Sequence, residues 1–128
     1  MEKCYKQRLE LANGFKECQK AFVALGDETR HQIIVALLES DTHGIRVGGI
    51  TKKTYLSRPA VSHHLKILKD AGIINMYRKG TKNYYYVNAN ETVWKQLAGF
   101  MNNVYSLVQE ISNKDCSKSD IERQSIEE

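Results

Sequence analysis

The sequence predicts a mainly α-helical (α+β) fold in which helices flank a single β-hairpin. Three observations carry that prediction. Apolar residues recur at heptad-like steps near both ends of the chain. A central stretch, residues 57–72, has a helix start signal, a helix stop signal and an amphipathic pattern between them. Directly after Gly72 the composition becomes β-branched and aromatic over two short runs separated by a glycine-containing turn. A helix-turn-helix followed by a hairpin is a winged helix-turn-helix, here with a two-stranded wing and with terminal helices placed for dimerisation.

Residues 3–25 read as one helix. Leu11, Phe15, Cys18, Phe22 and Leu25 recur at steps of 4, 3, 4 and 3, and Gly26 ends the run. Asp27 then caps a second helix with Ile33, Ile34, Leu37 and Leu38 as its apolar face. Residues 40–44 form a polar turn. Ile45–Val47 is either a short strand or the lead into a short helix over about residues 48–55, which a turn at Leu56-Ser57 closes.

The helix at the centre of the chain is the most clearly punctuated element. Ser57 is its N-cap, because the hydroxyl can accept from an unsatisfied N–H of the first turn. Pro59 lies in that turn, where its missing N–H is not needed. Gly72 supplies a left-handed C-cap. At 100° per residue, Val61, Leu65 and Leu68 form one stripe, and Arg58, Pro59, Ser62, His63, Lys66 and Lys69 face the other way. A buried stripe backed by hydroxyl, imidazole and cationic groups suits a helix that lies in a DNA groove; a solvated basic surface helix would show the same pattern.

Ile73–Arg78 and Lys82–Ala89 are the two strands, joined by the loop Lys79-Gly80-Thr81. Asn90 caps a long last helix with Glu91 in its first turn. Val93, Leu97, Phe100, Val104, Leu107 and Ile111 form a second seam along it. The two seams carry more apolar surface than one small domain needs, so a dimer through the first and last helices would bury Leu11, Phe15, Cys18 and Phe22 with these six residues. The expected organisation is one winged-helix DNA-binding and dimerisation domain over residues 1–112, then a disordered tail over 113–128.

Net charge is +4, but its distribution is more informative. Residues 46–82 hold nine basic side chains (Arg46, Lys52, Lys53, Arg58, Lys66, Lys69, Arg78, Lys79 and Lys82) and one acid, Asp70. Positive charge confined to one third of a chain is a footprint for a polyanion, since a solvated structural face mixes its signs. No run approaches the ~20 apolar residues of a membrane span, and residues 1–20 lack the apolar core of a signal peptide. A cytoplasmic protein with reduced thiols and no membrane partner is the expectation.

Enzyme chemistry finds little support. Gly48-Gly49 is only a pair, not a phosphate-binding loop, and no nucleophile–base constellation has motif context. His63 and His64 diverge by 100° on a helix and cannot easily chelate one ion. His63 belongs to the polar face, whereas His64 lies beside the apolar stripe as a hydrogen-bonded structural imidazole. Cys4 and Cys18 are 14 residues apart, about 21 Å along an unbroken helix, too far to share a metal or a disulfide. Cys18, between Phe15 and Phe22, reads as a small buried hydrophobe. The sharper alternative pairs Cys4 or Cys18 with Cys116 of a partner chain as a sensor of a soft metal, a metalloid or an oxidant. Of Tyr84, Tyr85 and Tyr86, one face packs on the core.

Leu25-Gly26-Asp27-Glu28-Thr29-Arg30, the run from Leu56-Ser57 through Val61-Ser62-His63-His64-Leu65 and Leu68 to Ala71-Gly72-Ile73-Ile74, Arg78-Lys79-Gly80 and the three tyrosines together resemble the ArsR/SmtB family of winged-helix repressors. The resemblance covers roughly residues 20–110. It implies a homodimer on a palindromic operator, released by an inducer that is often a metal ion. The family's metal sites do not carry over. Where the resemblance would place a Cys-x-Cys pair, the chain reads Ile45-Arg46-Val47-Gly48-Gly49-Ile50-Thr51, and residues 91–111 contain neither His nor Asp.

The functional expectation is a homodimeric, sequence-specific repressor on double-stranded DNA, with no firm cofactor and a soft metal or metalloid as the candidate inducer. Arg58, Ser62 and His63 are the candidates for base edges, beside Ser57 and Pro59 at the helix start. Lys52, Lys53, Lys66, Arg78, Lys79 and Lys82 are the candidates for phosphates. The alternative is an interaction module that binds an acidic protein instead of DNA.

Overall fold

The computed structural model describes residues 2–40, 43–87 and 90–113. In chain order these form α1 (Glu2–Glu17), α2 (Gln19–Leu25), α3 (Glu28–Leu38), α4 (Val47–Thr54), α5 (Arg58–Asp70), the antiparallel strands β1 (Ile74–Lys79) and β2 (Lys82–Val87), and α6 (Glu91–Asn113). They fall into two compact units: Gln19–Lys95, and the described parts of 1–18 with 96–128.

In the first unit, α2, α3, α4 and α5 and the hairpin surround one apolar core. Ile33, Ile50, Val61, Leu65, Leu68, Ile73 and Ile74 are its largest fully buried side chains. The stripe Val61, Leu65, Leu68 expected for the central helix is therefore buried, and its bounds begin and end where Ser57 and Gly72 punctuate it. Ser57 Oγ accepts from the Ala60 N–H at 3.2 Å. At the other end Ile73 N–H reaches Leu68 O and Gly72 N–H reaches Lys69 O, each at 3.0 Å, which is a Schellman closure with Gly72 at φ +79°. A Cβ on Gly72 would also stand 2.7 Å from Val93 Cγ2, so both the backbone and its neighbour require glycine.

The hairpin register pairs Ile74 with Val87, Tyr77 with Tyr84 and Lys79 with Lys82. Lys79 thus belongs to the ladder, and the loop is the two residues Gly80-Thr81, not Lys79-Gly80-Thr81. Gly80, at φ +66°, takes the left-handed first position that a tight hairpin needs. Ile45 and Tyr85 exchange both backbone hydrogen bonds at 2.9 Å, so Ile45 docks beside the hairpin while Val47 opens α4. Ile45–Val47 therefore leads into the helix, with a single bridge at Ile45 in place of a short strand. Tyr77 stacks on Tyr84, with ring centroids 5.2 Å apart, and lies beside Tyr86 on the same sheet face.

In the second unit α1 and α6 run antiparallel. Gln7 meets Glu110, Phe15 packs edge-on against Phe100 at 4.7 Å, and Cys18 Sγ approaches Gln96 O. Gly14 makes room for the Phe100 ring: a Cβ there would lie 2.5 Å from Phe100 Cδ1.

Three sequence expectations need correction. The helix expected over residues 3–25 is two helices, interrupted at Cys18. Up to Cys18 the chain packs with residues 96–113, and from Gln19 it packs within Gln19–Lys95; a heptad step records an apolar face but not its partner. Leu38, counted on the apolar face of α3, is 64% exposed, and Ala36 and Arg30 join Ile33 and Leu37 in the buried set. Strand β1 is Ile74–Lys79 and not Ile73–Arg78, and β2 runs from Lys82 to Val87; residues 88–89, where the expected end of β2 falls, and residues 114–128, including Cys116 and all but the first residue of the expected tail, lie outside the described residues.

Candidate nucleic-acid interface

The polar face of α5 is built by the same periodicity that buries its stripe. With Val61, Leu65 and Leu68 inward, Arg58, Pro59, Ser62, His63, Lys66 and Lys69 are all exposed. The turn before α5 is held by Tyr55, which caps α4 at φ 59°, ψ 22° and gives its N–H to Thr51 O at 2.8 Å. A non-glycine residue in this region carries backbone strain, and Tyr55 is 93% exposed. Sequence reading passed over it because a tyrosine gives no turn signal. Gly48 on α4 leaves room at the start of α5: a Cβ there would stand 4.0 Å from Arg58 Nη1.

All nine basic residues between 46 and 82 are exposed, and all belong to the Gln19–Lys95 unit. Among the described residues none of the nine forms an ion pair. Arg78 spends its Nε on Gly80 O at 3.0 Å, which braces the wing tip and leaves its two terminal nitrogens outward. Lys79 stands directly across from Lys82. Like charges opposed on a hairpin destabilise it, so this tip suits a surface that meets an anion.

Behind α5 lies a residue to which the sequence reading assigned no role. Arg30, 8% exposed, reaches three partners: Nε donates to Ala24 O at 2.7 Å, Nη2 to Val23 O at 2.9 Å, and Nη1 lies 3.2 Å from His64 Nδ1. His31 Nε2 meets the next carbonyl, that of Leu25. The exposed carbonyls at the end of α2 are thereby satisfied by two side chains of α3. The signal was present, since Arg30 precedes Ile33 and Leu37 at the core spacing of α3. Asp27 caps this helix through Oδ1 to the Arg30 N–H at 3.1 Å. That bond, more than any other influence, holds the Asp27 carboxyl below its ordinary value; the nearby Arg30 charge acts in the same direction.

The profile of the family described as "Bacterial regulatory protein, arsR family" matches residues 27–76, from the Asp27 cap through α5 into β1. An uncharacterized HTH-type transcriptional regulator of Methanocaldococcus jannaschii is 37% identical over 73 residues, which is 57% of this chain and 80% of that protein. The chain belongs to the ArsR family of transcriptional regulators. Another relative, the transcriptional repressor SdpR of Bacillus subtilis, is 40% identical over 67 residues, covering 52% of this chain and 71% of SdpR. The arsenical resistance operon repressor of the same organism is 33% identical over 76 residues, 59% of this chain and 70% of that repressor. Among solved structures, the homodimeric winged helix-turn-helix DNA-binding domain of Mycobacterium bovis superposes with a TM-score of 0.51 at 24% identity, over 88% of this chain and 90% of that one. This ArsR-family chain therefore has the winged helix-turn-helix fold, with α4 and α5 as the helix-turn-helix and β1–β2 as the wing.

The metal-binding expectations can be placed within this frame. Among the described residues no group of three His, Cys, Asp or Glu is arranged to hold a metal ion. His63 is exposed, while His64 is turned to Arg30, so the two imidazoles do not converge on one point. Cys18 is buried with a free thiol, whereas Cys4 is disulfide-bonded, so the expectation of reduced thiols holds for Cys18 and not for Cys4. No helix among the described residues is long and apolar enough to cross a membrane.

The ten residues expected at a dimer interface are not equivalent. Cys18, Leu97, Phe100 and Leu107 are buried within one chain; Phe22, Leu11, Val93, Val104 and Ile111 are half-buried; Phe15 is exposed. The apolar residues that α6 leaves exposed form a different stripe, Met101, Tyr105 and Val108, and α1 leaves Tyr5 and Leu9 exposed besides Phe15.

Proposed function

We propose that this ArsR-family chain is a cytoplasmic, homodimeric repressor that reads a palindromic operator with α5 in the major groove and the β1–β2 tip against the flanking phosphates. The observation that carries the reading is the set of nine exposed basic side chains on one unit, none in an ion pair among the described residues, around a helix whose outer face offers Arg58, Ser62 and His63. Arg58 and Ser62 can donate to base edges, and Lys52, Lys53, Lys66, Lys79, Lys82 and Arg78 neutralise phosphates. Two α5 helices related by a dyad would sit about 34 Å apart, one turn of DNA. The exposed stripe Met101, Tyr105, Val108 and the α1 residues Tyr5, Leu9 and Phe15 are the apolar surface such a dimer would cover. That stripe replaces the one expected from the heptad pattern, because Leu97, Phe100 and Leu107 are already buried. A small inducer would release the operator, and a soft metal or metalloid stays the candidate class.

The test is selection from a random duplex library with the purified protein, followed by anisotropy titration. A dyad-symmetric sequence with half-sites one turn apart should be enriched, and Arg58→Ala and Ser62→Ala should each weaken it by about ten-fold, against little change on random duplex. If no sequence is enriched, or if both variants bind it as the parent does, the assignment fails. Failure of all duplexes to bind at moderate salt would instead favour an acidic protein partner.

A further inference from the structure

We propose that His64 is a positioning residue: through its hydrogen bond to Arg30 it sets the roll of α5, and so the direction in which Arg58, Ser62, His63 and Lys66 point. The proposal rests on the DNA-binding reading above. The Arg30 guanidinium is a planar junction of three helices. It takes the last-turn carbonyls of α2 at Val23 and Ala24, springs from α3, and meets His64 Nδ1 of α5 at 3.2 Å. A guanidinium has N–H donors and no acceptor. His64 Nδ1 must therefore be the acceptor, which places the ring proton on Nε2 and keeps the imidazole neutral.

The buried stripe Val61, Leu65, Leu68 anchors α5 to the core, but apolar contact is non-directional and tolerates rotation about the helix axis. A hydrogen bond at the edge of that stripe is directional and resists it. His64 is next in sequence to His63 and two residues from Ser62 and Lys66, so a small rotation moves every candidate base contact.

The experiment uses the full chain and the duplex selected with it, with a length-matched random duplex as control, at pH 7.5. His64→Leu keeps the bulk and removes the acceptor, and His64→Asn keeps an acceptor at the Nδ1 position. His64→Leu should bind the selected duplex about ten-fold more weakly at pH 7.5 with the random duplex unchanged. His64→Asn should stay within about three-fold of the parent. Nitrogen NMR of the parent at pH 7.5 should report the Nε2–H tautomer. The proposal is overturned by an Nδ1–H tautomer, by a His64→Leu variant with parental discrimination, or by a His64→Asn variant that binds as weakly as His64→Leu. If no duplex is enriched, the repressor reading falls separately. Ring tautomer and α5 amide exchange then decide the clamp: faster exchange in His64→Leu than in His64→Asn supports it, and equal exchange overturns it.

Discussion

Replacing Arg30 by lysine keeps the charge and removes the geometry. The guanidinium holds Ala24 O, Val23 O and His64 Nδ1 at 2.7, 2.9 and 3.2 Å from three different nitrogens. An ammonium on a shorter stem reaches one of these, so two of the three guanidinium hydrogen bonds are lost. At about 1.5 kcal/mol for each charged hydrogen bond lost, the low end of the range, the cost is about 3 kcal/mol. The side chain is only about 10% exposed, so little of this is recovered by water. For a chain of this size that corresponds to a fall in Tm of about 12 °C. The assay is thermal unfolding followed by circular dichroism at fixed protein concentration, since any association would shift both variants. A fall of less than about 4 °C would refute the view that this junction holds α2, α3 and α5 together.

Four further outcomes follow from the same structure. Lys79→Ala should remove one phosphate contact per protomer and flatten the plot of log affinity against log salt by about 1.8 in a dimer, read by anisotropy between 50 and 200 mM salt; an unchanged slope would place the wing off the DNA. Gly72→Ala combines a strained φ with a 2.7 Å approach to Val93 Cγ2 and should cost about 2–3 kcal/mol in urea unfolding, whereas Gly99→Ala, inside α6 where a Cβ meets no atom within 4 Å, should gain about 0.5–1 kcal/mol. Gly14→Ala drives a methyl to 2.5 Å from Phe100 and should cost about 1–3 kcal/mol, a loss that trimming Phe100 to leucine in the same chain partly reverses. Because the Asp27 carboxyl is held low in the folded state, its contribution is fully present above the ordinary carboxylate range and fades as pH falls through the depressed value. Urea midpoints from pH 5 to pH 3 should therefore drop more steeply for the parent than for Asp27→Asn, and parallel curves would contradict the cap.

What was legible in the sequence was whatever is written locally. Ser57, Pro59 and Gly72 act on their own turns, so the bounds of α5 could be read from residues 57–72 alone. The exposed face of that helix follows from its 3.6-residue period, and the concentration of charge between 46 and 82 is a property of the chain before it folds. Candidate DNA contacts came from these two facts together. The Asp27 and Asn90 caps are local in the same way.

What only the tertiary structure decided was the choice among partners. The apolar period ran on through Cys18, yet the helix breaks there, because packing changes partner and periodicity does not name one. The last helix has two apolar stripes, and the chain buries Leu97, Phe100 and Leu107 and leaves Met101, Tyr105 and Val108 outside. Arg30 and His64 are 34 residues apart, and no local rule joins them. Their contact exists because burying the stripes of α3 and α5 in one core brings a donor with no acceptor beside a ring nitrogen that can accept. Local chemistry determined that the chain has a helix fit for a groove; the fold determined what that helix leans on.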